Sequence, residues 1–126
     1  MPTALQGPPV AVPRPQLWRI TDRRTFLALR RQGRRARRGP LAVTWLAPTP
    51  GDVTPPRAAF AVGRSAGGAV LRNRVRRRLR AALRELLAAG RLPDGAYLLS
   101  GGPELARLPW SELVELLEAT IAEARS

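Results

Sequence analysis

Residues 64–84 read R-S-A-G-G-A-V-L-R-N-R-V-R-R-R-L-R-A-A-L-R, from Arg64 to Arg84, with eight arginines and no acid before Glu85. At about 100° per residue, Leu71, Val75, Leu79, Ala82, Leu83 and Leu86 fall on one arc of about 120°, which is the width of a core-facing stripe. Asn73, Arg76, Arg77, Arg80 and Arg84 gather on a second face at steps of three, four and seven residues, and Arg74 and Arg78 flank the other side. The stretch therefore predicts one long helix over Ala69 to Ala89, half buried and half arginine, with Gly90 closing it. Solvated helix faces ordinarily mix signs. Eight like charges repel and form no ion pairs among themselves, so folding stability does not explain them. A rigid row of guanidinium groups is suited to a polyanion, and RNA or DNA is the candidate.

Composition extends that reading. The chain has 126 residues, the length of one domain. All 22 of its basic residues are arginine, against nine acids, for a net charge of +13 and a pI near 12.0. Such a balance predicts a nucleic-acid partner. The charge is uneven: residues 1–91 carry 20 arginines and three acids, +17, and residues 92–126 carry two arginines and six acids, −4. There is no cysteine and no histidine, which removes disulfides, thiolate nucleophiles and the commonest general base and zinc ligand. No apolar run approaches the roughly 18 residues of a membrane span, and the Pro-rich start lacks the apolar segment of a signal peptide. A soluble, cytoplasmic protein is expected, monomeric when free.

Around the arginine helix the remaining elements follow from pattern. Residues 1–17 hold prolines at 2, 8, 9, 13 and 15 without hydrophobic period and read as a flexible arm; residues 18–126 form the domain. Arg14 and Arg19 could touch RNA, but incidental charge on a mobile tail is the preferred reading, and Trp18 and Ile20 read as pins to the core. Thr21 and Asp22 offer capping oxygens for a helix over about 22–32, Phe26, Leu27 and Leu29 give it an apolar stripe, and Gly33 offers a left-handed C-cap. Its end runs into a second basic patch, with Arg34, Arg35, Arg37 and Arg38, read as a loop extending the RNA-facing surface.

Residues 41–47 (L-A-V-T-W-L-A) and 57–63 (R-A-A-F-A-V-G) are β-rich and separated by loop chemistry, so two antiparallel strands are expected. A-Y-L-L-S at 96–100 reads as a short buried strand. A final helix starts near Pro109 or Ser111, with Leu113, Leu116, Leu117, Ile121 and Ala124 inward and Glu112, Glu115, Glu118 and Glu123 on a solubilising face. The order α-β-β-α-β-α makes a small α+β two-layer sandwich.

These residues carry a resemblance. The segment P-R-A-A-F-A-V-G-R, from Pro56 to Arg64, followed by G-A-V-L-R-N-R-V-R-R-R-L-R, from Gly68 to Arg80, is similar to the signature of the bacterial ribonuclease P protein component, with Arg72-Asn73-Arg74 its most specific part. A weaker match runs from Arg19 to the last helix. The resemblance implies a fold like the second domain of ribosomal protein S5, with a left-handed β-α-β crossover. It further implies an accessory subunit of a ribonucleoprotein endonuclease that removes the 5′ leader of precursor tRNA, while the RNA subunit performs the cleavage with Mg2+. By position, Arg72, Asn73, Arg74, Arg76, Arg77 and Arg80 would contact the catalytic RNA, with Arg64 and Arg84 of the same basic run as further candidates, and Phe26 would line a leader cleft between helix and sheet, with Arg30 beside it. Four positions depart from the usual pattern: Arg30 replaces a second aromatic, Arg64 a lysine, Gly68 an asparagine, and Ser100-Gly101-Gly102 a basic stretch.

The alternative is a ribosomal or other structural RNA-binding protein with an S5-like fold; the R-N-R helix favours ribonuclease P. A DNA-reading helix would need a turn-linked partner helix before it, and strands and glycines precede it instead. A membrane-surface helix is disfavoured because Leu71, Val75 and Leu79 serve better as core. Asp22, Asp52, Glu85 and Asp94 are scattered over different elements, without the pairing of a protein-held metal site.

Overall fold

The computed structural model describes residues 16–51 and 54–126; most of the expected arm and Asp52 lie outside them. In chain order the elements are β1 (Trp18–Arg19), α1 (Arg23–Gln32), β2 (Arg34–Arg38), β3 (Leu41–Leu46), β4 (Arg57–Phe60), a 3-10 turn (Arg64–Ala66), α2 (Ala69–Ala88), β5 (Ala96–Gly101), a second 3-10 turn (Pro103–Ala106) and α3 (Trp110–Arg125). The α+β class holds, and the expected order gains two strands, β1 and β2.

The five strands form one mixed sheet in the order β1-β4-β5-β3-β2. The strands expected to pair with each other, β3 and β4, do not. β5 lies between them, antiparallel to β3 and parallel to β4. Tyr97 and Leu99 of β5 have no exposure, in keeping with a central strand. The chain passes from β4 to its parallel neighbour β5 through α2, as a parallel pair requires.

Strand alternation sorts the core. One face carries Leu41 and Val43 of β3, Ala58 of β4, and Tyr97 and Leu99 of β5, packed against Val75, Leu79, Ala82, Leu83 and Leu86 of α2 and Leu113, Leu117 and Ile121 of α3. The other carries Leu46, Ala59, Ala96 and Leu98 with Ile20 and Leu29. The helix-on-sheet layering thus holds for α2 and α3, and the ten-residue α1 adds a partial cover to the opposite face.

Two local expectations change. The predicted α1 stripe reduces to Leu29, because Thr25 and Leu29 turn inward while Phe26 and Leu27 stay 37% and 39% exposed. Gly33 is no left-handed cap: its φ is −66°, ordinary extended backbone. Its missing side chain matters instead, since a Cβ there would lie 2.3 Å from the Leu29 carbonyl oxygen and 2.5 Å from Thr44 Cγ2. Of the two expected pins, Ile20 is buried and Trp18 is 48% exposed.

Candidate nucleic-acid interface

Helix α2 is entered through Gly67, at φ 112°, and Gly68, the N-cap, which makes no side-chain capping bond. Its buried residues are Val75, Leu79, Ala82, Leu83 and Leu86, with Leu71 packed at the core margin, as the period predicts. With this arc against the sheet, Asn73, Arg74, Arg77 and Arg84 are exposed, and Arg64 is exposed just before the helix. No carbonyl or carboxylate among the described residues accepts a hydrogen bond from Arg64, Arg74, Arg77, Arg80 or Arg84. These guanidinium groups have no counter-charge among the described residues, which is costly for folding and useful for a polyanion.

Arg78 and Arg76 are held by hydrogen bonds to the protein. Arg78 donates to the Leu105 carbonyl at 2.6 Å and to the Leu108 carbonyl, and it lies over the Trp110 ring at 5.9 Å. This half-buried side chain fastens the segment between β5 and α3 to α2. Arg76 donates to Asn73 Oδ1 at 2.8 Å and to the Val62 carbonyl at 3.2 Å; its head is oriented by the chain and Asn73 is oriented with it. Arg80 is set over the Phe60 ring at 5.3 Å. Arg72 falls within the apolar arc on the helical wheel, which is why its Nε is buried and lacks a partner.

The second basic patch is a strand, not a loop, and the pleat divides it. Register pairs Arg34 with Trp45, Ala36 with Val43 and Arg38 with Leu41, so these three face α3. There Arg34 donates to the carbonyls of Arg125 and Ser126 at 3.2 and 3.3 Å, and Arg38 pairs with Glu123 at 3.3 Å. Arg35 and Arg37 pair with Thr44 and Ala42 and project from the α1 face of the sheet, both exposed. The acidic face of α3 is thereby only partly solvent-facing: Glu123 meets Arg38, and Glu118 meets Arg91 at 2.7 Å.

On the α1 face, Asp22 caps the helix by accepting from the Thr25 backbone N–H at 2.9 Å and the Thr25 hydroxyl at 2.6 Å. The Thr25 hydroxyl, then its N–H, hold the Asp22 carboxyl below its ordinary value, with Arg57 adding a smaller pull. Arg57 also donates to the Thr25 hydroxyl at 3.2 Å, tying α1 to β4. Phe26 and Arg30, one turn apart, are both exposed, and the sheet beside α1 presents partly exposed Thr44, Leu98 and Ser100.

Among the described residues no three acids gather where they could hold a metal ion. No described helix is long and apolar enough to cross a membrane. The sequence reading missed Arg57 as the brace of α1, Arg78 as a structural fastener, and Phe60 as the platform under Arg80. Strand alternation signals Phe60, two residues from buried Ala58; nothing local signals the partners of Arg78, which lie 27 and 30 residues away.

A family model described as Ribonuclease P matches residues 15–125. The chain belongs to the ribonuclease P protein family. It is 40% identical over 109 residues to the ribonuclease P protein component of Thermobifida fusca, covering 82% of this chain and 73% of that one. To the component of Nocardioides sp. it is 41% identical over 101 residues, covering 79% and 85%. The fold is similar to the RNase P protein of Staphylococcus aureus, with a TM-score of 0.70 at 16% identity over 87% of this chain and 97% of that one. It is also similar to the Thermotoga maritima protein, at 0.65 and 23% over 79% and 90%. A ribonuclease P protein component implies an RNA partner, and the arginine face of α2 has the chemistry for one.

Proposed function

We propose that this protein is the accessory subunit that binds the catalytic RNA of ribonuclease P through the outward face of α2 and guides the 5′ leader of precursor tRNA along the α1 face of the sheet. The observation that carries the reading is the set Arg64, Arg74, Arg77, Arg80 and Arg84, charged and without protein acceptors, on and beside one rigid helix whose other face is core. Asn73 and Arg76, bonded to each other, adjoin that surface, and the half-buried Arg72 is assigned to its margin. Arginine suits it because the planar guanidinium makes paired contacts with phosphate and stacks on bases. For the leader, Phe26 offers a stacking face, and Arg30, Arg35 and Arg37 offer charge.

The protein's part is binding and orientation. Arginine stays protonated at neutral pH and cannot act as a base, so the arginine face can neutralise phosphate but cannot activate water. Cleavage is assigned to the RNA subunit, with Mg2+ held by RNA and substrate, and the enzyme acts in the cytoplasm. The test is reconstitution: adding the protein to bacterial ribonuclease P RNA and precursor tRNA at low magnesium should stimulate 5′ cleavage. Absence of stimulation with folded protein would overturn the proposal.

A further inference from the structure

On the side of the sheet covered by α2, beside β1, the last strand on that side among the described residues, lies a pocket of about 200 Å³ lined by Leu17, Trp18, Arg19, Ala58, Phe60, Arg80 and Arg84. Its construction is specific. β1 is only two residues long, and the backbone N–H groups of Trp18 and Ile20 donate to the carbonyls of Pro56 and Ala58 at 2.9 and 3.1 Å. By the alternation of a parallel ladder, the Arg19 N–H then points away from β4. The pleat places Arg19 on the same face as its register partner Ala58, toward α2. From α2, Arg80 and Arg84, one turn apart, close the other wall.

Three arginines therefore converge on one concavity; among the described residues no carboxylate lines it and none of the three has a hydrogen-bond acceptor or ion-pair partner. Arg80 is partly buried and held over the Phe60 ring at 5.3 Å, so its direction is fixed before any ligand arrives. Such a cation stack is worth more as it is desolvated. Like charges held together in a recess focus positive potential there. The apolar floor of Ala58 and Phe60 offers a surface to sugar or base.

The geometry points to a dedicated subsite for one nucleotide of RNA, its phosphodiester held among Arg19, Arg80 and Arg84 and its ribose or base resting against Leu17 and Phe60. The inference rests on the RNA-binding reading above and deepens it: the helix face alone would read a regular backbone, whereas this recess requires a nucleotide displaced from the duplex, as in a bulge or single-stranded join. Arg19, outside the helix and on a different element, becomes a binding residue.

The test uses the full chain and bacterial ribonuclease P RNA. Arg19→Gln and Arg84→Gln should each weaken binding about tenfold and lower the log-log salt slope by about one. The charge-matched Arg107→Gln, outside the pocket, should change affinity less than twofold. Phe60→Leu, which removes no charge, should also weaken binding by severalfold by releasing Arg80. In parallel, the Arg19, Arg80 and Arg84 Nε–H signals should shift on titration with hexauridylate, and inorganic phosphate at the same phosphate concentration should shift them less. Thermal unfolding establishes that each variant is folded. If wild type binds RNA while Arg19→Gln and Phe60→Leu match Arg107→Gln, the subsite is wrong and the general interface, probed by Arg84→Gln, is judged separately; if wild type binds no RNA, the underlying reading has failed. Equal shifts with inorganic phosphate would reduce the pocket to an anion site without nucleotide preference and overturn the assignment.

Discussion

The guanidinium of Arg78 donates a 2.6 Å hydrogen bond to the carbonyl of Leu105, 27 residues further along the chain, while its neighbour Arg77 has no acceptor among the described residues. Adjacent identical residues thus belong to different tasks. Arg78→Ala should cost about 1.5–3 kcal/mol of stability, the range for hydrogen bonds from a charged donor, and leave the affinity of the remaining folded protein for ribonuclease P RNA within about threefold. Arg77→Ala should show the reverse, an unchanged melting temperature and weakened RNA binding, because an exposed arginine contributes little to folding. Denaturant titration and RNA binding on both variants check the pair.

Gly33→Ala should destabilise the fold by about 1–3 kcal/mol, as overpacking does. The backbone there is extended and tolerates any residue, so the cost comes from the Leu29 carbonyl and Thr44 Cγ2, both within 2.5 Å of an added Cβ. Combining it with Thr44→Ser, which removes that methyl group, should recover part of the loss; chemical denaturation of both variants reads it.

Asp22→Ala should cost about 0.5–2 kcal/mol, the range for losing a helix N-cap. The native carboxyl titrates below its ordinary 3.8, so its contribution is complete above that value and disappears as pH falls through the lower native one. Stability of the wild type and of the variant should therefore converge in acid. A difference that stayed constant from neutral pH down to strong acid would remove Asp22 as the source.

RNA binding should weaken steeply with salt, each neutralised phosphate contributing about −0.7 to −0.9 to the log-log slope. The +17 carried by residues 1–91 is the motive. Dissociation constants measured across a salt series give the slope directly, and a flat series would be incompatible with an arginine-led interface.

Alanine at Asp22, Asp52, Glu85 or Asp94 should leave single-turnover cleavage by the reconstituted enzyme, at saturating magnesium, within about tenfold of wild type, about 1.4 kcal/mol in the barrier. A loss of roughly a thousandfold from any one, with folding intact, would place part of the chemistry on the protein.

The legible parts of this chain are those where one residue type carries one meaning. Leu71, Val75, Leu79 and Leu86 recur at helical spacing, and their buried arc fixes by subtraction where Arg77 and Arg84 point. Arg34–Arg38 was opaque because a strand is recognised by β-branched and aromatic residues, and R-R-A-R-R has none; only pairing with β3 makes it one. The order of β3, β5 and β4 was hidden for another reason: a hairpin is the local solution, and the strand that separates the two, with Tyr97 and Leu99, arrives nearly 40 residues after Phe60. Which arginines meet protein acceptors and which remain open was equally invisible, since the carbonyls of Leu105, Leu108, Arg125 and Ser126 become neighbours only in the fold.

Ala36 is the single small apolar residue in a strand of arginines, buried opposite Val43. Because side chains alternate with a period of two, a slip of one residue sends every group on a strand to the opposite face. In β2 the slip would exchange one arginine pair for another with almost no change in composition, and within the strand itself the methyl group of Ala36 distinguishes the two states. One alanine thereby keeps the address of four charges: it decides which two are joined to the protein's own C-terminal helix and which two stay available on the sheet.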